Sequence, residues 1–509
     1  MSKYLYGAAV QGIQDFIFKT NELKHIVGAS ELVEQICTSA FDEFAKNGES
    51  VVRAAGNIKF IFYKEEDCAK AVREFPKKVM TTAPGITISQ AVVLLDDSEE
   101  EIVEKGKPSK FEIAVNKLEA RLKTQRNKVP QSVLAGLIGI KRANNTGLPV
   151  TKVIKDKNGK LVYLDDATKA KLGKAVDAQN NPQARVWDLC EKSFGINIFR
   201  KNIAFDISDI TGKNDWIAII HADGNGLGKI VQKVGAKKDV FKSFSQNLDK
   251  ATTTAAQKTF AKISEKHHID KEGFIPIRPV VLDGDDMTVI IRGDLAIDYA
   301  ETFITEFQNA TRSEIGEILK SYKVFDSGED YLSACAGIAF IKSSYPFYYG
   351  YQLAEELCGQ AKKDTKAMIG ENDLPKSCLM FHKVQDSFIT RYEDIVIREL
   401  TADDGLSFKA GPYYLTETAN RYTVEELKEL STLLDNEHGD GIKSGVRQWI
   451  SARLRDASYA NQRMERMLQV FKSDDDIVRQ LTAVVGDNAC IAYDVLAYHT
   501  IMNQQTNEE

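Results

Sequence analysis

Asp223, Asp285 and Asp286 are the residues whose type and spacing best suit chemistry in this sequence. Asp223 closes an apolar run, Trp216–Ala222, that reads as a strand, while Asp285 and Asp286 sit in Asp283-Gly284-Asp285-Asp286 between Ile275–Leu282 and Met287–Ile291. The two flanking runs read as a hairpin. If that hairpin pairs beside the strand, three carboxylates meet at one sheet edge, the all-oxygen set that Mg2+ or Mn2+ takes. Two such ions about 4 Å apart would activate an attacking hydroxyl and neutralise a leaving pyrophosphate. The loop Gly224-Asn225-Gly226-Leu227-Gly228 opens a helix, so its backbone N–H groups could hold the phosphates of a nucleoside triphosphate. Asp283 and Gly284 complete the turn on the nucleotide side, and Lys362, near the end of a later helix, adds a phosphate contact.

Each feature alone has an ordinary reading. Asp-Gly is a common hairpin turn, the glycines after Asp223 suit any strand-to-helix turn, and Ala361-Lys362-Lys363-Asp364 suits a solvated helix end. Their weight comes from falling together in a repeated unit. The first copy runs through a strand at Tyr4–Val10, a helix through Glu31–Phe44, a hairpin of Ser50–Ala54 and Ile58–Tyr63, a helix at Glu65–Val79 and a strand at Ile86–Leu95. The second has strands at Trp216–Ala222, Ile275–Leu282, Met287–Ile291 and Ser333–Ile341. Its helices carry the stripe Phe244, Leu248, Ala251, Ala255 and the stretches Ala296–Phe307 and Gly350–Lys363. The same βαββαβ order thus occurs twice, about 210–230 residues apart, which is an internal duplication and an α+β layer architecture with helices on one face of each sheet. The first copy has Ala9 where the second has Asp223, and Asn57-Ile58 where it has Asp285-Asp286. It is therefore expected to be a structural partner or nucleotide-holding platform, not a second metal centre.

Domains are expected at 1–125, 126–205, 206–395 and 396–509: first copy, Lys- and Asn-rich insertion or linker module with an exposed hairpin around Asn158-Gly159, second copy, and helical region. Thr423-Val424-Glu425-Glu426 is a capping box, and further helices are expected near Val446–Leu454, Asn461–Phe471 and Ile477–Val485.

At 509 residues, 43% apolar and 28% charged, the chain has the balance of a globular protein with a sizeable core and is neither disordered nor fibrous. A net charge of −6 supplies no overall basic field for nucleic acid or membrane. No apolar run approaches the ~18 residues of a membrane helix and the N-terminus lacks a signal-peptide pattern, so no membrane partner and a cytoplasmic location are expected. Seven cysteines without a CxxC pair read as reduced thiols. The histidines show no metal-ligand spacing, and His267–His268 reads as a solvated helix end. The arginines 447, 453, 455, 463 and 466 read as a charged outer face, with RNA contact as the other reading.

Gly12-Ile13-Gln14-Asp15-Phe16-Ile17-Phe18 followed by Val27-Gly28-Ala29-Ser30-Glu31-Leu32 resembles the first Palm domain of the large polymerase-cyclase subunit of type III CRISPR effector complexes. Asp223-Gly224-Asn225-Gly226, Asp283-Gly284-Asp285-Asp286, Ser333–Ala339, Tyr345-Pro346, Leu353–Leu357 and Ala361-Lys362 resemble its second Palm domain, whose signature is Gly-Gly-Asp-Asp. The resemblance covers roughly residues 1–395. It implies two ferredoxin-like Palm domains of nucleotidyl-cyclase type, and Asp223, Asp285 and Asp286 as metal ligands. It also implies joining of ATP, 3′-hydroxyl to α-phosphate, into a cyclic or linear oligonucleotide messenger in antiviral defence, with RNA or CRISPR-type protein partners. The chain departs from the family pattern in having Asp283 for the first Gly, no His-Asp nuclease segment ahead of the first Palm and no zinc-binding cysteines between the Palms, as in a divergent or stand-alone relative. Two alternatives stand beside this reading: a non-catalytic nucleotide-binding scaffold, and a GGDEF-type diguanylate cyclase that would prefer GTP.

Overall fold

The computed structural model describes residues 3–503 except 21, 55, 96–109, 128–138, 144–145, 156–158, 182–183, 212–214, 235–237, 271, 371–372, 386–390 and 487. The chain opens with β1 (Lys3–Gln11), α1 (Ile13–Phe18), α2 (Leu23–Cys37) and a single turn, α3 (Ser39–Asp42). β2 (Gly48–Ala54), β3 (Asn57–Phe62), α4 (Glu65–Thr82), β4 (Thr87–Leu95) and α5 (Lys110–Arg126) follow. The sheet order is β2-β3-β1-β4, with β1 antiparallel to both neighbours, the ferredoxin-like order expected of a βαββαβ unit. The helix expected through Glu31–Phe44 starts earlier, at Leu23, because Leu23, Ile26 and Val27 extend its apolar face into the core.

Helices cover both faces of this sheet, not the single face expected from the sequence. Phe60 and Phe62 of the sheet pack under α2 and α4, which turn Ile26 and Leu32, and Cys68, Phe75 and Val79, toward them, while Ala114, Leu118 and Leu122 of α5 seal Leu5, Ile61 and Val93 on the opposite face. A strand whose two faces are both apolar cannot leave either in water, and β1 is such a strand.

The segment between the sheets holds β5 (Lys152–Lys155), β6 (Leu161–Leu164), α6 (Asp166–Asn180), α7 (Arg185–Phe194) and α8 (Ile207–Thr211). The two strands form the expected small hairpin; its turn, 156–158, lies outside the described residues. This segment is a wedge between the sheets, since α6 lies along α2 and α7 packs on the long helix of the second unit. Glu31 of α2 accepts hydrogen bonds from the backbone N–H groups of Arg185 (2.9 Å) and Val186 (2.5 Å), satisfying donors at the start of α7 that have no partner within that helix.

The second unit comprises β7 (Trp216–Gly224), α9 (Leu227–Val234), α10 (Lys238–Lys266), β8 (Ile277–Asp283), β9 (Asp286–Arg292), α11 (Ala296–Ser321), β10 (Ala334–Lys342), α12 (Phe347–Ala367) and β11 (Cys378–Lys383). After α13 (Tyr392–Glu399), β12 (Tyr413–Tyr414) completes a six-stranded sheet, β12-β11-β10-β7-β9-β8. Its inner order, β10-β7-β9-β8, reproduces that of the first sheet. β11 is added parallel to β10, a strand for which no expectation was formed because Cys378–Lys383 is a short apolar run without alternation. One face packs on α10 and α11 through Ile220, Leu248, Phe260, Phe303 and Phe307. The other face packs on α12 and merges with the core of the first unit, where the rings of Phe18 and Tyr351 stack at 4.2 Å, worth about 1 kcal/mol beyond area burial.

The remaining helices are α14 (Val424–Thr432), α15 (Gly439–Arg453), α16 (Ala457–Val470), α17 (Asp475–Thr482) and α18 (Ala492–Met502). The capping box forms, with Thr423 Oγ1 accepting from Glu426 N at 3.1 Å and Glu426 Oε2 from Thr423 N at 2.6 Å. The helix expected to reach Val485 stops at Thr482. Val484 and Val485 instead pair as β13 with β14 (Ala489–Cys490), as suits a β-branched pair. Among the described residues no helix is long and apolar enough to cross a membrane, and all seven cysteines are free and buried.

Gly337 lets α12 approach β10 closely: a Cβ there would lie 1.9 Å from the Ala354 carbonyl oxygen and 2.4 Å from the Cys358 nitrogen. Both neighbours are helix backbone and cannot step aside singly. Gly337→Ala should therefore cost about 2–3 kcal/mol, read as a lower urea midpoint at unchanged slope.

Candidate nucleotide and metal site

The three acids meet because of strand register. In the β7–β9 ladder Asp223 is directly opposite Asp286, and the β8–β9 hairpin turns through Gly284 and Asp285, with Gly284 at φ 61°, a backbone setting that costs glycine least. One ligand oxygen from each of Asp223, Asp285 and Asp286 lies within 4.8 Å of the other two, the only such grouping of acids, histidines and cysteines among the described residues. Gly224 makes the approach possible, since a Cβ there would come within 2.9 Å of the Asp285 Cβ. The same register corrects the comparison with the first copy. Ala9 pairs with Asn57, so Asn57 is the counterpart of Asp286 and Gly56 that of Asp285; the counterpart is not Asn57-Ile58. No acid stands at any of these positions in the first sheet.

The electrostatics are those of crowded carboxylates. Burial, with the charge of the neighbouring Asp223 acting in the same direction, raises Asp285 to about 7 and Asp286 to about 8. Lys362 of α12 donates to Asp223 Oδ2 and, at 2.8 Å, to the Gly224 carbonyl oxygen. Burial opposes its charge, yet Asp223 outweighs burial and raises the ammonium above its usual value. His221, two residues before Asp223 on the same face of β7, shares a hydrogen bond with Thr288 Oγ1 at 3.1 Å and is lowered by burial to about 4, so it stays neutral.

Beside the acids lies a cavity of about 490 Å3 lined by Asp223, Gly224, Gly226, Leu227, Gly228, Asp285 and Lys362, within the size range of small-molecule sites. The first-turn N–H groups of α9 have no acceptor within the helix, and Gly226 to Gly228, which begin that turn, are cavity residues. Asn225 has a different position from its neighbours. It is 1% exposed, and its amide nitrogen reaches Ser333 Oγ at 3.0 Å and Cys335 Sγ at 3.4 Å, so it anchors the loop from below. Of the expected turn residues, Gly284 is placed by its carbonyl, which accepts from Thr252 Oγ1; Asp283 contributes its backbone, paired with Asp286. Phe325, Lys366, Ile369, Asp373 and Pro375 also line the cavity and were not anticipated. Lys366 carried a usable signal, standing one helical turn beyond Lys362; Phe325 and Pro375 come from loops with no pattern to find. His267 is not a solvated helix end, as its Nε2 lies 2.8 Å from Asp298 Oδ2 in a cluster with Lys266 and Lys428.

Residues 216–370 match the family model described as Cas10/Cmr2, second palm domain. This segment is a Cas10/Cmr2-type second palm domain. Its sheet is the one that carries the acid triad, and the first sheet, of the same order, is the matching unit before it. No curated protein matches the chain. Among solved structures it is similar to a chain in the crystal structure of the Csm1–Csm4 cassette with pppApA, at TM-score 0.55 and 14% identity over 98% of this chain and 69% of that one. The same cassette with AMPPNP gives TM-score 0.55 at 15% identity over 98% and 69%. The Csm1–Csm4 subcomplex of the type III-A CRISPR-Csm interference complex gives 0.54 at 14% over 98% and 69%. These similarities establish the fold of the whole chain.

Raised carboxyls bind protons more tightly folded than unfolded, so their cost to the fold is absent below the ordinary aspartate value of 3.8 and grows as pH rises through 7 to 8. In chelator, Asp286→Asn should raise the melting midpoint at about pH 8 and change it little near pH 4. In the unsubstituted protein, Mg2+ affinity measured by calorimetry should climb from about pH 6 to pH 8 with proton release, because cation and protons compete for the same oxygens.

Proposed function

We propose that this protein is a divalent-cation-dependent nucleotidyltransferase that joins ATP, 3′-hydroxyl to α-phosphate, into an oligonucleotide messenger, working with CRISPR-type protein partners. The observation that carries the reading is the convergence of Asp223, Asp285 and Asp286 beside a cavity of about 490 Å3 within a Cas10/Cmr2-type palm domain. The relatives' complexes with pppApA, AMPPNP and, at TM-score 0.56, pppApApA support an adenine nucleotide, and the Csm1–Csm4 subcomplex supports a protein partner.

The residues fit hard cations, since every donor is a carboxylate oxygen and two of the three acids are held where burial and like charge disfavour ionisation. Asp223, Asp285 and Asp286 would hold Mg2+ or Mn2+, which supplies Lewis-acid activation of the hydroxyl and charge neutralisation on the pyrophosphate. The chain's own contributions are positional. Gly226 to Gly228 offer backbone donors to phosphate oxygens. Lys362 donates to Asp223 and adds a cation at the same wall of the cavity. Asn225 keeps the loop in register with β10. Leu227 and Phe325 give the cavity apolar sides.

Purified protein incubated with each labelled NTP, singly and mixed, with Mg2+ or Mn2+ should yield an ATP-derived oligonucleotide resolved by mass spectrometry. Asp285→Ala with Asp286→Ala should lower the yield by at least about 10²-fold. Undiminished product in that variant would sink the assignment of the acids, and a product only from GTP would shift the reading to a diguanylate cyclase.

A further inference from the structure

Beneath the loop that lines the cavity, two thiols stand in contact. Cys335 and Cys378 are direct partners in the parallel ladder of β10 and β11, and their Sγ atoms lie 3.6 Å apart, the one contact between two sulfur atoms among the described residues. Adjacent strands run about 4.8 Å apart, inside the ~4.4–6.8 Å between α-carbons that a disulfide spans, so the strands already stand at bridging distance. Both residues are 0% exposed.

Each thiol also touches the residues around the acids. Asn225, whose neighbours Gly224 and Gly226 line the cavity, holds its amide against Cys335 Sγ through Nδ2 at 3.4 Å and Oδ1 at 3.6 Å. Cys378 Sγ lies 3.6 Å from the carbonyl oxygen of Ala361, the residue before Lys362. Cys335 is itself the β10 residue opposite Asp223. A third cysteine, Cys358 of α12, turns its thiol to the Cys335 carbonyl oxygen at 3.4 Å, so the pair has no competing sulfur. Asn225 thus stands between Cys335 and the cavity, and an oxidant little larger than water reaches the sulfur when that one side chain swings away.

We propose that Cys335 and Cys378 are a site of reversible oxidation, joined as a disulfide by a hydroperoxide and thereby controlling how firmly Asn225 holds the Gly224–Gly228 loop. Cys335, in contact with Asn225, meets the hydroperoxide first. Its S–O bond forms, the O–O bond breaks, and the thiol proton leaves with the departing hydroxide as water. The Cys378 sulfur then displaces the hydroxyl of the sulfenic acid: the S–S bond forms, the S–O bond breaks, and the second thiol proton leaves as a second water. The two thiols lose two electrons and the hydroperoxide gains them. The bridged Cys335 sulfur has no hydrogen for Asn225 Oδ1 and turns toward Cys378, so the loop loses its anchor. The consequence for a nucleotide rests on the function proposed for the cavity; the disulfide does not.

The test treats the full-length protein with hydrogen peroxide in native buffer, then denatures, alkylates and maps it by mass spectrometry beside Cys378→Ala and the more nearly isosteric Cys378→Ser. The parent should lose two hydrogens and yield a linked Cys335–Cys378 peptide that dithiothreitol reverses, while the variants should carry a dimedone-reactive sulfenic acid on Cys335. All seven thiols still free after a dose that oxidises the urea-unfolded chain would overturn the proposal, as would a link joining any other pair. Hydrogen exchange reads the loop: the amides of Gly224–Gly228 should exchange at least about tenfold faster in the oxidised parent and recover with dithiothreitol, and unchanged exchange would overturn the control of the loop. ATP affinity in Mg2+, measured by calorimetry, should fall about tenfold on oxidation, the size expected from one lost hydrogen bond. A reduced protein that binds no ATP would sink the nucleotide reading of the cavity, with mass and exchange still deciding the disulfide.

Discussion

Asp223 stands across one rung of an antiparallel ladder from Asp286, with Asp285 in the adjoining turn, and the palm domain is organised around keeping those like charges together. Left alone, three carboxylates whose oxygens lie within 4.8 Å would separate or take up protons. They are held because the strands bearing them are central in a sheet packed on both faces, where a one-residue slip would turn every core side chain of β7 to the wrong side. Lys362 balances one charge. The remainder is what a divalent cation would relieve, so the same crowding that costs stability would favour its binding.

Helix α12 ties this electrostatic arrangement to the rest of the molecule. It rests on β10 at the position where Gly337 removes a side chain, carries Lys362 and Lys366 toward the cavity at one end, and near the other presents Tyr351 to Phe18 of the first unit. A shift of this helix would move the cation that holds Asp223 and the contact that docks the first sheet together. The two sheets share a strand order but differ in charge: Ala9, Gly56 and Asn57 leave the first without acids, and its surface toward the second is an apolar continuation of one core. The duplication thus yielded one charged edge and one buttress.

The sheet's other end has the opposite sign. Parallel strands β10 and β11 end on Lys342 and Lys383, whose ammonium groups lie over the Trp216 ring while Asp215 pairs with Lys342, a local arrangement that a net charge of −6 does not describe. Net charge describes long-range behaviour; binding is decided by what is left uncompensated within a few ångströms.

The sequence by itself determined the repeated βαββαβ order, the hairpin around Gly284 and Asp285, the capping box at Thr423 and the acids that could share a cation. Each is written in short-range terms: alternation, turn chemistry and capping act over a few residues and need no partner to be read. Only the tertiary structure decided which first-sheet residues are their counterparts, since a register is fixed by packing across strands and differs by one residue from the alignment of turns. It alone also placed Asn225 beneath the loop, added β11 beside β10, brought Phe325 and Lys366 to the cavity and gathered Trp216, Lys342 and Lys383. Those residues lie far apart in sequence, and what unites them is the closing of buried surfaces over one another, a long-range constraint that local pattern does not encode.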